Sequence, residues 1–271
     1  EGSYVASIAV DVEVRASAFT ITYRLEATDP RLYIEIAGTW FERGSREIGT
    51  PTLRAAIPIA LESGTPTYEI PFGAVERQLA HGEEVPALRW ADVTGDTDSV
   101  GLLMINDFKH GHSYKDGVLR LTLLRSSFEP DPLPEVDQHK VLIALEPHDG
   151  ALSAAAASTA ATAVTEPVVV VQTDSHSGAL PSAGRFLSVE GGAVVSAIKR
   201  AEDGVGIIVR LYNPSDRETE ARVSFGDAAP RAAGSVARVD LLERPDGVIA
   251  VEAGAARVSV AAYGIETLKL G

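Results

Sequence analysis

Apolar and polar residues alternate along most of this chain with a period of two. That repeat puts one set of side chains into a core and the other into water or a second layer. Phe19-Thr20-Ile21-Thr22-Tyr23-Arg24-Leu25-Glu26 alternates cleanly, and so does Leu32-Tyr33-Ile34-Glu35-Ile36. Asp29-Pro30 between them predicts a turn, because proline holds φ and cannot donate to a ladder. Further strands are predicted over 53–61, 67–70, 100–105, 118–124, 141–145 and 168–172. Ala, Ser and Thr crowd together over 151–165, which reads as a short helix or, preferably, a surface connector; the Ser-, Gly- and Pro-rich stretch 173–184 reads as an irregular loop. Beyond it come short strands over 186–189, 194–199, 206–212, 220–225, 237–242, 248–251, 257–260 and 265–270, with turns at Asn213-Pro214 and Pro245-Asp246-Gly247. Short strands divided by polar turns are the signature of sandwiches and barrels. The pattern predicts an all-β protein, with a large β-domain over 1–180 and a smaller immunoglobulin-like β-sandwich over 181–271.

Composition narrows the function classes. The 271 residues are 45% hydrophobic and 23% charged, as in globular proteins. A formal net charge of −14 argues against nucleic acid and anionic membranes as partners, since both need a basic surface. With no cysteine, disulfides, thiolate metal sites and cysteine nucleophiles are excluded. No basic region followed by an apolar block marks a signal peptide, and the apolar run Val168–Val171 is far shorter than the ~20 residues of a membrane helix. A cytoplasmic, bacterial setting is expected. The chain opens almost at once into alternation and without methionine, as a segment cut from a larger protein would.

Signatures of chemistry are scarce: there is no GxSxG elbow, HExxH helix or phosphate-binding loop. His110 and His112 have a spacing that some metal sites use, but Lys109-His110-Gly111-His112-Ser113 reads as a solvated turn, so no metal ligands are assigned. Trp40 and Trp90 read as buried residues in preference to sugar-stacking platforms. Asp131 and Asp137 flank a proline-rich segment, where loop stiffening and turn capping are expected of them. Arg125 ends a strand that is apolar on its inward side. Its guanidinium must find an acceptor, either Asp131 or Asp137 within the domain or a ligand or partner outside it.

Ordered motifs around Arg125 carry a resemblance. Leu119-Arg120-Leu121-Thr122-Leu123-Leu124-Arg125-Ser126, then Pro130-Asp131, Asp137, His139 and Pro147-His148, resembles the C-terminal region of glycoside hydrolase family 38 α-mannosidases, where an "LRLSLLR" strand precedes a Pro-Asp loop, a histidine and a "PH.G" ending. Trp40-Phe41-Glu42, Tyr68-Glu69-Ile70-Pro71-Phe72-Gly73, Glu84 through Trp90, and Asn106-Asp107 with Lys109 and Gly111 are similar to further family segments in the same order. So are Lys199 to Asp203, Val209 to Tyr212 and Asp240 to Glu243. The chain departs from the pattern at Asn213, where the family usually has an acid, and over Arg43 to Ile57, which lacks the customary "LK" pair.

The resemblance implies a galactose mutarotase-like supersandwich followed by the smaller sandwich. It implies a C-terminal accessory region of a retaining α-mannosidase that walls the active site. The zinc and the aspartate nucleophile would lie in a catalytic barrel outside this chain, so no catalytic residue, metal ligand or cofactor is assigned here and the segment alone is expected to be inactive. Its implied partners are that barrel, an adjoining helical domain and the mannoside substrate, with homo-oligomers arising from exposed strand edges. Arg125 is the residue implied to face the mannose pocket, with Asp107, Asp131 and His139 as supports. A stand-alone carbohydrate-binding module and a purely structural or oligomerisation domain are the competing readings.

Overall fold

The computed structural model describes residues 2–61, 63–77, 81–97, 100–166, 168–178, 182–226 and 235–271. It divides into two compact units. The first comprises Glu1–Pro71, Val75–Leu152 and Ala160–Pro167; the second comprises Phe72–Ala74, Ser153–Thr159 and Val168–Gly271.

The alternating segments become strands. In chain order these are β1 (Val5–Val14), β2 (Ser17–Glu26), β3 (Asp29–Trp40), β4 (Thr52–Pro58), β5 (Gly64–Ile70), β6 (Gly73–Glu76), β7 (Val85–Pro86), β8 (Trp90–Gly95), β9 (Val100–Asn106), β10 (Gly111–Lys115), β11 (Val118–Arg125) and β12 (Asp137–Asp149). They form an eight-stranded sheet, β1-β2-β3-β12-β9-β8-β5-β6, and a four-stranded sheet, β4-β11-β10-β7. The core of the first unit draws on both sheets, with Ile34, Ile36, Met104, Val141 and Ile143 from the larger one and Leu119, Leu121 and Leu123 from the smaller. Register follows from inward apolar pairs such as Ile21 opposite Ile36. Gly38 stands opposite Phe19, where a Cβ would come 2.6 Å from the ring, so only glycine lets the ring lie there.

Several expectations are corrected. Asp29-Pro30 is not the turn; β3 begins there, and Pro30 sits at an irregularity in the β2 pairing and ahead of the first β12 partner, Leu32, so its missing N–H breaks no ladder. Residues 168–172 do not form a strand: Val168–Val171 are exposed and pair with nothing among the described residues, because β-propensity supplies no partner. Residues 111–115 are a strand and not a turn, and His112 is buried within it. β8 escaped prediction because both its faces are covered, which erases the alternation.

The segment 151–165 is the helix α1 (Ala154–Thr165), the less favoured alternative. Ser153 caps it, its Oγ accepting from the Ala156 N–H at 3.2 Å.

The second unit contains β13 (Leu187–Gly191), β14 (Val194–Arg200), β15 (Ile207–Tyr212), β16 (Thr219–Phe225), β17 (Ser235–Val239), β18 (Pro245–Glu252), β19 (Ala255–Val260) and β20 (Ile265–Leu270). β18 pairs through its first part with β17 and through Val251 and Glu252 with β19, so one strand turns the corner between two faces of a sandwich. Leu211, Val223, Val258, Leu268 and their neighbours fill it. Part of the predicted loop, residues 179–181, lies outside the described residues.

Asn213, the departure from the family pattern, is fully buried. Its Nδ2 donates to the carbonyls of Arg217, Val260 and Ala261 at 2.6, 3.2 and 3.0 Å, and its Oδ1 accepts from Ser215. A carboxylate has no donor for those carbonyls.

Candidate functional site

β11 delivers Arg125 to its C-terminal end, opposite Thr52 of β4. The side chain is exposed, and among the described residues its guanidinium makes no ion pair, so the internal pair with Asp131 or Asp137 does not form. The chain next to it is tightly held. Ser126 is buried; its N–H donates to the Pro51 carbonyl at 2.9 Å, and its Oγ accepts from Trp40 Nε1 at 2.6 Å. Two residues on, Glu42 accepts from the Ala16 N–H at 3.0 Å, so the Trp40-Phe41-Glu42 motif ties the β1–β2 turn to the end of β11. Arg125 is thus a free fork on a rigid base.

The expected supports lie around it without forming a bonded cluster. Asp131 is exposed and accepts from the Leu133 N–H at 2.9 Å, a turn-capping role. Asp137 starts β12 opposite Trp40. His139, on β12, approaches the Glu135 carbonyl with Nε2 at 2.7 Å. Asp107 follows β9 and clasps β12: its Oδ2 accepts from the Leu142 N–H at 3.1 Å, and its own N–H donates to the Leu142 carbonyl at 3.3 Å. Asp107 Oδ1 is shielded from water with no hydrogen bond of good geometry. Burial lifts this carboxyl above the usual carboxylate range, and the Leu142, Asp107 and Phe108 N–H groups only partly offset that. Among the described residues no hydrogen bond or ion pair joins Arg125 to Asp107, Asp131 or His139.

Three buried polar pairings were missed as pairings, although their residues sit in the quoted motifs. Glu69 is buried and takes both Arg89 Nη2, at 2.6 Å, and the Arg89 backbone N–H, at 2.7 Å, while Arg89 Nη1 reaches Thr162 Oγ1 at 3.0 Å. Asn106 Nδ2 lies 3.4 Å from His112 Nε2, and His112 Nδ1 lies 3.3 Å from the His110 carbonyl. That geometry suits a neutral ring donating from Nδ1, and burial pushes His112 down to about 4.

Asp92 and His148 meet at 2.8 Å in the third pairing. His148 Nδ1 faces the Gly150 carbonyl at 3.0 Å, so both ring nitrogens face oxygen atoms. Burial raises the Asp92 carboxyl against the bonds from His148 and Thr94. A Cβ on Gly101 would strike the His148 ring at 2.4 Å, so glycine there makes room for it. An open cleft of about 440 Å³ runs past His148 between Pro58–Leu61 and Val100–Leu102.

No signal along the chain joins these partners, which are brought together only by strand pairing. Trp40 and Trp90 are both buried, as expected. No group of three His, Asp or Glu side chains among the described residues is placed to hold a metal ion. Among the described residues no helix is long and apolar enough to cross a membrane.

Comparison with known proteins gives the family. Residues 1–133 match the glycosyl hydrolases family 38 C-terminal domain, and residues 192–268 match the glycosyl hydrolases family 38 C-terminal beta sandwich domain. Human Alpha-mannosidase 2C1 is 30% identical over 205 residues, covering 72% of this chain and 19% of the human protein. Alpha-mannosidase G of Dictyostelium discoideum is 29% identical over 169 residues, covering 59% of this chain and 15% of its own length. The chain therefore spans less than a fifth of these two relatives. The crystal structure of an alpha-mannosidase from Enterococcus faecalis superposes with a TM-score of 0.75 at 17% identity, over 96% of this chain and 29% of that one, a likeness of fold. With two consecutive models of one family matched in order and its β-architecture present, the chain belongs to glycosyl hydrolase family 38, as part of its C-terminal region.

Proposed function

We propose that this chain is the C-terminal accessory region of an α-mannosidase, packing on the catalytic portion of the longer enzyme and walling its active site, while the full-length protein hydrolyses terminal α-mannosides with retention. The observation that carries this reading is Arg125: an exposed guanidinium, unpaired among the described residues, at the end of a strand whose flanks are locked by Trp40 and Ser126. A fork held in place with its donors unused suits sugar hydroxyls or an acidic group of a neighbouring domain.

The segment does not read as the catalyst. Retaining hydrolysis needs two carboxyl groups about 5 Å apart astride the bond. Glu69 and Asp92, the two buried acids among the described residues, are already committed to Arg89 and His148. The zinc and the nucleophile belong in this reading to the catalytic portion.

Arg125→Ala in the full-length enzyme is expected to lower kcat/KM for an aryl α-mannoside by about ten- to a hundredfold, with thermal stability unchanged. Unchanged kcat/KM would overturn the role of Arg125. The chain alone is expected to turn over no aryl α-mannoside; chelator-sensitive hydrolysis by it would sink the accessory reading. Calorimetric titration of the chain with mannose is expected to be silent, since both tryptophans are buried, whereas saturable binding would favour a carbohydrate-binding module.

A further inference from the structure

The two sheets of the first unit have unequal width, and the smaller one runs out at β4. On β1, Ile8, Val10, Val12 and Val14 share one face; on β2, so do Phe19, Ile21, Tyr23 and Leu25. Ile8 pairs with Tyr23, Val10 with Ile21 and Val12 with Phe19, so the two rows form one apolar surface. Its near part, Val12, Val14, Phe19 and Ile21, lines an apolar cleft of about 260 Å³ closed on the other side by Leu53, Ala55 and Ile57 of β4. Its far part is largely open among the described residues: Ile8 is 70% exposed, Val10 45% and Leu25 52%, and Tyr23, which also lines the cleft, is 38% exposed. The opposite face carries Ser7, Asp11, Glu13, Thr20, Thr22, Arg24 and Glu26, so the hairpin is patterned as the inner leaf of a sandwich that is missing its outer leaf.

The edge of β4 faces the same gap. Pro51 accepts from Ser126 and the Ile59 N–H donates to Gly117, both towards β11. By the two-residue repeat of a strand, Leu53, Ala55 and Ile57 also bond towards β11. The N–H and C=O groups of Arg54 and Ala56 then point away from it, and β4 has no second neighbour among the described residues. Such an edge is a template for another strand.

We infer that β4 accepts a further β-strand from a part of the full-length polypeptide outside this chain, with alternate apolar side chains laid on Ile8, Val10, Tyr23 and Leu25. The free backbone edge selects an extended segment over a helix, and the apolar row beneath selects period-two hydrophobicity. The relatives supply the length, since more than four-fifths of each of the two lies beyond the match. The inference rests on the reading of this chain as a region of a longer enzyme.

The test is hydrogen–deuterium exchange at the Arg54 and Ala56 amides, in this chain alone and in the full-length polypeptide. Exchange is expected to be fast in the chain alone and about a hundredfold slower in the full-length protein. Equal, fast exchange in both would overturn the inference, even where the full-length protein hydrolyses mannosides and the functional reading stands. Protection that appears in the chain alone and rises with its concentration, alongside a dimer in sedimentation, would instead assign the edge to a second copy. As an independent readout, Ile8→Lys is expected to leave the melting temperature of the chain alone unchanged and to lower that of the full-length protein. No change in either would also count against the added strand.

Discussion

The two units are built from the same kind of strand but bury different things. The core of the first contains a carboxylate–guanidinium pair, a carboxylate–imidazole pair and a neutral histidine, at Glu69, Asp92 and His112. Among the described residues of the second, the buried polar side chains are Ser158, Asn213 and Thr267, none of which titrates. A core of hydrocarbon and neutral amides depends on packing and on hydrogen-bond count. A core with buried ionisable groups also depends on pH and on each charge keeping its partner. The first unit is also the one with Arg125 and the open edge of β4.

The largest expected break in this contrast is Glu69→Ala. It removes the carboxylate that holds the Arg89 guanidinium and the acceptor of the Arg89 backbone N–H, while the bond from Arg89 to Thr162 remains, costing about 3 kcal/mol, at the low end of the scale of a broken buried pair. Denaturant unfolding followed at the first unit would show it, and a loss below about 1 kcal/mol would mean that water replaces the pair.

Acid should also separate the units. His112 is held at about 4 against an ordinary value of 6.5. Between those values the unfolded chain binds the extra proton, so the stability owed to the neutral ring is complete above 6.5 and is lost as pH falls towards 4, on the order of 3 kcal/mol in all. Asp92 and Asp107 are raised, so they act in the opposite sense and favour the folded state as pH falls towards their range. The first unit is therefore expected to lose stability from pH 6.5 to 5 with a slope approaching ~1.4 kcal/mol per pH unit, and His112→Asn should flatten it. A slope that survives the substitution would place the proton elsewhere.

The smallest effect tests the second unit. Asn213→Asp would leave three carbonyls without their donor and bury a charge, at a cost of about 2–3 kcal/mol. Unlike the effect at His112, its cost should relax when the new carboxyl is protonated at low pH and regains a donor. Equal stability of the variant and the parent at pH 7 would show that the three bonds are dispensable.

Much of the fold was legible along the chain, because alternation is set by near neighbours. Most strands of the second unit and the β2 and β3 pair follow from it, but the strand expected over 237–242 ends at Val239 in a turn, and Pro245-Asp246-Gly247, expected to turn, opens β18 instead. What failed did so for physical reasons. β8 is covered on both faces and shows no alternation; residues 168–171 are β-prone but have no partner among the described residues; and 109–113 looked like a turn although Gly111, His112 and Ser113 belong to β10, held between β11 and β7.

The candidate site divides the same way. The sequence by itself determined that this is an acidic all-β chain and, through ordered motifs, which family its residues resemble. Only the tertiary structure decided that Arg125 stands unpaired among the described residues, that Glu69 binds Arg89 and Asp92 binds His148, and that the hairpin of β1 and β2 outreaches the sheet beneath it. A buried polar pair 56 residues apart in the chain, as Asp92 and His148 are, depends on which strands lie side by side. Strand pairing is set by the whole sheet, and no local pattern carries it.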